Sequence, residues 1–129
     1  MKGLLAIAIG GALGALARYG VFVAATHFLG HGFPYGTLFV NVLGSLLLGV
    51  LIEGSALAWT LPESVRLFLV VGVFGAFTTF STFSLDVAVL CERDRMITAA
   101  AYVLASVVLS VGGLFAGLHL MRHVLMVPN

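Results

Sequence analysis

The side chains with the most chemistry to offer lie in one stretch, residues 72–84, which reads GVFGAFTTFSTFS. This stretch carries five hydroxyl side chains: Thr78, Thr79, Ser81, Thr82 and Ser84. A hydroxyl in a helix can bond a carbonyl of the preceding turn, but five within seven residues are more than such bonding explains. Gly72 and Gly75 weaken a helix, and threonine is a poor helix former. We therefore predict that the chain leaves the helical conformation near residues 75–79.

Backbone carbonyls freed at such a break need a partner. A broken helix is tolerated at membrane depth only where it is buried in protein or lines a watery cavity. A monovalent cation is one candidate partner, because carbonyls at other breaks in membrane helices coordinate such ions.

The phenylalanines of the same stretch recur at every third position, as Phe74, Phe77, Phe80 and Phe83. On a helix of about 3.6 residues per turn this spacing drifts by about 60° per step, so some rings face inward if others face lipid. The edge of an aromatic ring is positive, and inward edges favour an anion without a full countercharge. Hydroxyl and amide donors would complete its shell, and the candidates are Asn41, Thr82 and Ser106.

Plain packing is the alternative for these rings. We favour it for Phe74 and Phe77. For Phe80 and Phe83, embedded in the polar sequence TFSTFS, the residue pattern leaves both interpretations open.

The composition places this stretch in a membrane protein. The chain has 129 residues, of which 61% are hydrophobic and 9% are charged. A soluble domain of this length has about 25% charged residues, so we predict an integral membrane protein forming a single domain, residues 1–129. The net charge of +1 gives no reason to expect nucleic acid as a partner, and the lone Cys91 excludes an internal disulfide.

Four segments are long enough to cross a bilayer, which takes about 20 apolar residues. They are residues 4–28, 36–58, 65–90 and 96–118. The three prolines, Pro34, Pro62 and Pro128, all fall outside these segments, as helix ends predict. The loops are short, so consecutive helices are expected to be antiparallel neighbours in an all-α fold.

Basic residues do not select an orientation for these spans. Lys2, Arg66 and Arg122 belong to the side of the termini, and Arg18, Arg93 and Arg95 belong to the other side. The rule that places lysine and arginine in the cytoplasm therefore has nothing to act on. Either another feature sets the orientation, or the chain inserts both ways, which is our hypothesis. A C-terminal tag found on one side only would contradict it.

Small and polar residues line one face of three spans. The stripes are Gly10, Gly14 and Arg18 in the first span, Thr37, Asn41, Ser45 and Gly49 in the second, and Tyr102, Ser106, Ser110, Gly113 and Gly117 in the fourth. Close helix packing is the better interpretation of the pairs Gly10/Gly14 and Gly113/Gly117. For Asn41 two interpretations stay open, a functional role and a specific hydrogen bond to another helix.

Charged side chains within or near the spans are few. Arg18 either reaches the interface beside Tyr19 or caps carbonyls and makes a vestibule positive. Asp86 is a possible partner for a cation or a backbone group. The other acidic residues are expected to be solvated, and no histidine has the depth and spacing of a metal ligand: Glu53, Glu63, Glu92, Asp94, His27, His31, His119 and His123.

Three blocks of the sequence together resemble the Fluc, or CrcB-type, family of bacterial fluoride channels. They are GGALGALARY, PYGTLFVNVLGSLLLG and GVFGAFTTFSTFS, one in each of the first three spans. The resemblance covers the whole chain in length and in number of spans. It implies an antiparallel, dual-topology homodimer in the bacterial plasma membrane that passes fluoride passively through two narrow pores and keeps cytoplasmic fluoride low.

The resemblance also implies roles for individual residues. Phe80 and Phe83 would be the pore-facing aromatics, and the polar residues of the pore would be Asn41, Thr82, Ser106 and Ser110, with Tyr102 beside the path. Backbone carbonyls of Gly75 and Thr78 would hold a structural sodium ion at the dimer interface. Arg18 would match the family's first-span arginine.

Two positions depart from the family pattern. Ala76 stands where many members have a second glycine, and Asp86 stands where glutamate is also common. The runner-up function is a small dual-topology multidrug or cation exporter, which would need a buried carboxylate in the first span. A membrane-embedded hydrolase is a third class, and it would need a serine and a histidine at similar depth.

Overall fold

The structure is a computed structural model that describes residues 1–126, and its regular elements within that range are all helices. Helix α1 spans Lys2–Leu29, α2 spans Tyr35–Leu57, α3 covers residues 63–77, α4 spans Phe80–Glu92 and α5 spans Met96–Met126. Four stretches are long and apolar enough to cross a membrane, with α3 and α4 together forming the third. The all-α fold and its four predicted spans are confirmed, and the last helix runs to residue 126 rather than 118. Pro128 lies outside the described residues.

Helix α3 is wound more widely than a regular helix. Its first turn, Glu63–Arg66, and its last, Gly75–Phe77, are α-helical, but Leu67–Phe74 is a π-helix. At the end of this segment the Gly75 N–H reaches the Val70 carbonyl, five residues back. Short π-helical segments inside α-helices are frequently found at functional sites. The sequence contained no pattern that predicted this winding.

Glycine contacts hold the helices together in two pairs. In α1 and α3, a Cβ on Gly10 would lie 3.1 Å from the Cα of Gly72 and would overlap the Phe68 carbonyl oxygen. In α2 and α5, a Cβ on Gly117 would lie 3.2 Å from the Cα of Gly49. The prediction that Gly10 and Gly117 serve close packing is confirmed, because no larger residue fits between the backbones.

We expect Gly117→Ala to destabilise the fold, because its Cβ would overlap the Leu46 carbonyl oxygen and lie 2.9 Å from the Val50 nitrogen. Helices α2 and α5 would have to separate, at a cost of about 1–3 kcal/mol. Gly112→Ala is the matched control on the same helix, since its Cβ meets nothing within 4 Å. Thermal unfolding in detergent compares them, and equal melting temperatures would contradict this packing.

One acidic residue lies elsewhere than predicted. Glu53 is buried, with 7% of its surface exposed, and is not solvated as expected. Its carboxylate accepts a hydrogen bond from Nε of Arg122, 2.6 Å away, so α2 and α5 are also joined by an ion pair. Because the arginine side chain is half exposed, the pair lies at the edge of the helix bundle.

Candidate functional site

The third span breaks at two threonines. Thr78 has φ −82° and ψ 157°, and Thr79 has φ −155° and ψ 116°, both extended conformations between the helical ends of α3 and α4. The break predicted near residues 75–79 is confirmed at its C-terminal edge, because Gly75 itself is still helical. The two halves of the span therefore meet at an extended dipeptide within a chain that is otherwise helical.

Asn41 of α2 holds the extended segment in place. Its Nδ2 donates to the Thr79 carbonyl at 3.0 Å, and its Oδ1 accepts from the Thr79 N–H at 2.7 Å. One amide thus satisfies both backbone groups of a residue that has left the helix, which removes the cost of burying them unpaired. One Nδ2 hydrogen is left to face another acceptor. Of the two roles open for Asn41, the specific interhelical bond is present.

The hydroxyls at the break are mostly bonded to the chain itself. Thr79 caps α4, because its Oγ1 accepts from the Thr82 N–H at 3.1 Å and donates to Oγ1 of Thr82 at 3.1 Å. Thr78 and Ser84 bond the carbonyls of Phe74 and Phe80, four residues back. Self-bonding therefore explains more of this cluster than the sequence led us to expect, and most of these hydroxyls build the break.

Arg18 of α1 reaches the same break from the other side. Its Nη1 donates to the Thr78 carbonyl at 3.4 Å, near the upper limit for a hydrogen bond. Of its two predicted roles, capping a carbonyl agrees with this contact, and snorkelling toward Tyr19 does not. A positive charge therefore lies beside the extended segment.

The break faces an open groove of about 380 Å³ along α2, α3, α4 and α5. Seven of the predicted site residues line this groove: Asn41, Gly75, Thr78, Phe80, Phe83, Ser106 and Ser110. Ser45, Val70, Phe74 and Thr79 line it too. The groove carries no ionisable side chain among its lining residues, so its polar groups are neutral dipoles.

The aromatic residues of α4 take different positions in the groove. Phe83 is buried, and its ring centroid lies 5.2 Å from that of Tyr102. The ring centroid of Phe80 lies 5.3 Å from that of Phe83, but Phe80 lines the groove with 76% of its surface exposed. Within one chain, Phe83 is therefore covered and Phe80 is not.

Two serine hydroxyls of α5 point into the protein without a partner. Oγ of Ser106 and Oγ of Ser110 are both buried, and neither meets full hydrogen-bond geometry with any residue the structure describes, although the Tyr102 hydroxyl lies near that of Ser106. They lie one helical turn apart on the face that lines the groove. Buried hydroxyls are rarely left unpaired, because each forfeits its bonds to water. These two are therefore the strongest sign of a missing ligand.

Thr82 and Asp86 line a second cavity, of about 350 Å³, which we call the mouth cavity. It lies between α1, the loop of residues 30–34, the start of α2, and α4. The buried Tyr102 donates its hydroxyl to Oδ2 of Asp86 at 2.9 Å. Phe83, which lines the groove, contacts Tyr102, and Tyr102 bonds Asp86 of the mouth cavity, so these two rings connect the linings of the two cavities. Of the predicted site residues, Thr82, Tyr102 and Arg18 lie outside the groove.

Oxygen ligands for a cation are available at the break. In a regular helix the Gly75 carbonyl would accept from the Thr79 N–H, but that N–H donates to Asn41. The Thr78 carbonyl, at the start of the extended segment, keeps a second lone pair beside the one facing Arg18. No cluster of three histidine, cysteine or acidic side chains is present among residues 1–126.

Sequence reasoning missed two features of the site. The Tyr102 to Asp86 hydrogen bond joins α5 to α4, and residue spacing along either helix gave no sign of it. Ser45 lines the groove, and its place one turn after Asn41 in the polar stripe was a usable signal.

Comparison with known proteins bears directly on this site. A family model described as CrcB-like protein, Camphor Resistance (CrcB), matches residues 5–118. The chain belongs to the CrcB family. The CrcB resemblance drawn from the three sequence blocks is thereby confirmed, and the matched region includes the groove, the break and the mouth cavity.

Relatives within the CrcB family are similar over nearly their full length. A protein of Rhodospirillum centenum named Fluoride-specific ion channel FluC is 57% identical over 122 residues, 95% of this chain and 97% of its own. One of the same name from Nitrobacter winogradskyi is 56% identical over 119 residues, 92% of this chain and 94% of its own. Together with its four apolar spans, this identifies the chain as a multi-pass membrane protein of bacterial type.

Proposed function

We propose that this protein is a fluoride channel, through which fluoride crosses the bacterial plasma membrane passively and leaves the cytoplasm. The observation that carries the proposal is the pair of buried, unpartnered hydroxyls of Ser106 and Ser110 in the groove. They lie beside Phe83 in a site built from neutral dipoles. The relatives named as fluoride-specific channels support the same substrate.

The groove suits an anion that must lose its water. Fluoride is small, strongly hydrated and a strong hydrogen-bond acceptor, so donors at close range must replace its hydration shell. The free hydrogens of Ser106, Ser110 and Asn41 provide such donors, and the edge of Phe83 adds a weak positive field. Neutral, repeated sites bind weakly enough for release, whereas a fixed positive charge in the path would hold the ion.

The complete channel is, we propose, an antiparallel homodimer. The groove is open along one side, and Phe80 at 76% exposure has no cover within its own chain. A second copy would close the groove and cover that ring. The equal numbers of basic residues on the two sides favour insertion in both orientations, which an antiparallel dimer requires.

A structural sodium ion at the dimer interface belongs to the same proposal. Gly75 and Thr78 line the groove where the partner would lie, and unwound backbone carbonyls are ligands that sodium accepts in membrane proteins. One chain offers two such oxygens, too few to hold the ion, so a symmetric partner would complete the shell. Bound there, the ion would neutralise carbonyls that converge at the break.

The alternative of a multidrug or cation exporter finds less support. Helix α1 contains no acidic residue, and the two helical carboxylates that are not exposed are already engaged: Glu53 with Arg122 and Asp86 with Tyr102. No carboxylate lines the groove to bind a cation. We propose a channel without catalytic activity, since the groove holds no nucleophile paired with a general base.

The experiment is fluoride release from liposomes that contain the purified protein. Vesicles loaded with potassium fluoride are diluted into fluoride-free buffer, and a potassium ionophore then allows charge-balanced efflux that a fluoride electrode records. We expect rapid release only from protein-containing vesicles. Release no faster than from protein-free vesicles would refute the proposed function.

Exchanging an aromatic ring for an aliphatic side chain tests the role of the phenylalanines. Phe80→Ile and Phe83→Ile keep the side chains apolar but remove the positive ring edges. We expect each variant to lose at least about tenfold in fluoride efflux, corresponding to about 1.4 kcal/mol, while the dimer persists in size-exclusion chromatography. Undiminished efflux from both variants would reduce these rings to packing residues.

A further inference from the structure

The mouth cavity has a charge that a single histidine can change. Its lining includes four ionisable side chains, and they are His31, Tyr35, Asp86 and Arg93. His31 belongs to the loop of residues 30–34, Tyr35 to the start of α2, and Asp86 and Arg93 to α4 and its end. The cavity is thus bordered by charged groups from several elements, unlike the neutral groove.

Near neutral pH the fixed charges of this lining cancel. Arg93 contributes one positive charge and Asp86 one negative charge, and the tyrosine is neutral. Histidine is the side chain that changes charge between about pH 5 and pH 8. The net charge of the lining is therefore zero with His31 neutral and one positive charge with His31 protonated.

The loop that carries His31 is anchored on both sides of the cavity. The Arg95 guanidinium donates to the Gly32 carbonyl, and the Phe33 ring packs edge-on against Tyr102 at 5.3 Å. His31 is exposed between these anchors. Glu92 and Asp94 are exposed beyond the cavity and do not line it. His31 is therefore kept at the rim with Arg93 and Asp86.

The mouth cavity adjoins the proposed ion path. Phe83 lines the groove and contacts Tyr102, and Tyr102 bonds Asp86 in the mouth cavity. An anion that moved past these two rings would reach the charged groups of the rim. The electrostatic potential there sets the local concentration of an anion at one end of the path.

We propose that His31 makes the mouth cavity an acid-activated site for attracting anions, so that fluoride throughput rises when the imidazole is protonated. This regulation rests on the proposed fluoride channel function. One added charge at the rim of a partly solvated cavity is expected to raise the local anion concentration about twofold at moderate ionic strength.

Fluoride efflux from liposomes, measured between about pH 6 and pH 8, tests the proposal. Protein-free vesicles at each pH correct for hydrogen fluoride crossing the lipid. We expect the wild-type efflux rate to rise about twofold toward the acidic end, and less at high ionic strength because salt screens the charge. His31→Asn should remove this rise, and His31→Arg should give the faster rate at every pH.

His123→Asn is the matched control, because His123 is an exposed histidine on α5 outside the mouth cavity. It should retain the wild-type pH profile. Efflux that is present but equally pH-dependent in His31→Asn, or independent of pH in the wild type, would overturn the role of His31 and leave the channel function standing. Absence of efflux at every pH would instead refute the channel function itself.

Discussion

Replacing Asn41 with aspartate is expected to lower fluoride efflux by about 100-fold, or about 2.7 kcal/mol. The carboxylate can still accept from the Thr79 N–H, but it cannot donate to the Thr79 carbonyl as the amide does. It also puts a negative charge in a groove lined by neutral groups, where it repels the permeating anion. Liposome efflux with a fluoride electrode measures the effect.

A second substitution at the same position separates structure from conduction. Asn41→Leu removes both hydrogen bonds and leaves two buried backbone groups unpaired, at a cost of about 2–4 kcal/mol in folding free energy. We expect a clearly lower melting temperature. Ser55→Ala is the control on α2, because the Ser55 hydroxyl bonds only the Leu51 carbonyl of the same helix, at 2.6 Å.

The two Asn41 variants test different claims. Wild-type efflux from Asn41→Asp would show that the Asn41 amide does not take part in the ion path.

Removing the unpartnered hydroxyls should separate function from stability. We expect Ser106→Ala and Ser110→Ala each to lower fluoride efflux about tenfold, because each removes one donor, worth about 1–1.5 kcal/mol, that replaces water around the ion. Neither should destabilise the fold, since no described residue bonds these oxygens. A buried hydroxyl without a partner is a cost that alanine removes.

Ser84→Ala is the matched control for the two serines. Its hydroxyl bonds the Phe80 carbonyl at 3.0 Å and does not line the groove, so both efflux and melting temperature should stay close to wild type. A fall in melting temperature for the α5 variants, without loss of efflux, would mean that the two serines serve packing rather than the ion.

The sequence was sufficient to predict the features that depend on residue spacing within one segment of the chain. Apolar length predicted the four spans, glycines at four-residue spacing predicted the packing role of Gly10 and Gly117, and the run of glycines and threonines predicted the break. These features depend on neighbours along the chain, so spacing alone reveals them.

Features that depend on distant parts of the chain were not predictable in this way. The Asn41 side chain donates a hydrogen bond to the Thr79 carbonyl, 38 positions away in the sequence. The Arg95 side chain donates to the Gly32 carbonyl, 63 positions away. Glu53 was expected in solvent because it lies near a loop, but its burial follows from Arg122 lying opposite on α5. Each pairing requires knowing which helices are neighbours, and a single sequence does not contain that information.

The most direct test of the central claim is the reversal potential of the channel in a planar lipid bilayer. With fluoride on one side and chloride on the other, a path of close, neutral donors should pass the small ion and exclude the larger one. We predict a reversal potential that follows the fluoride gradient and does not respond to chloride. A potential near zero under these conditions, or a current carried equally by both halides, would contradict the account.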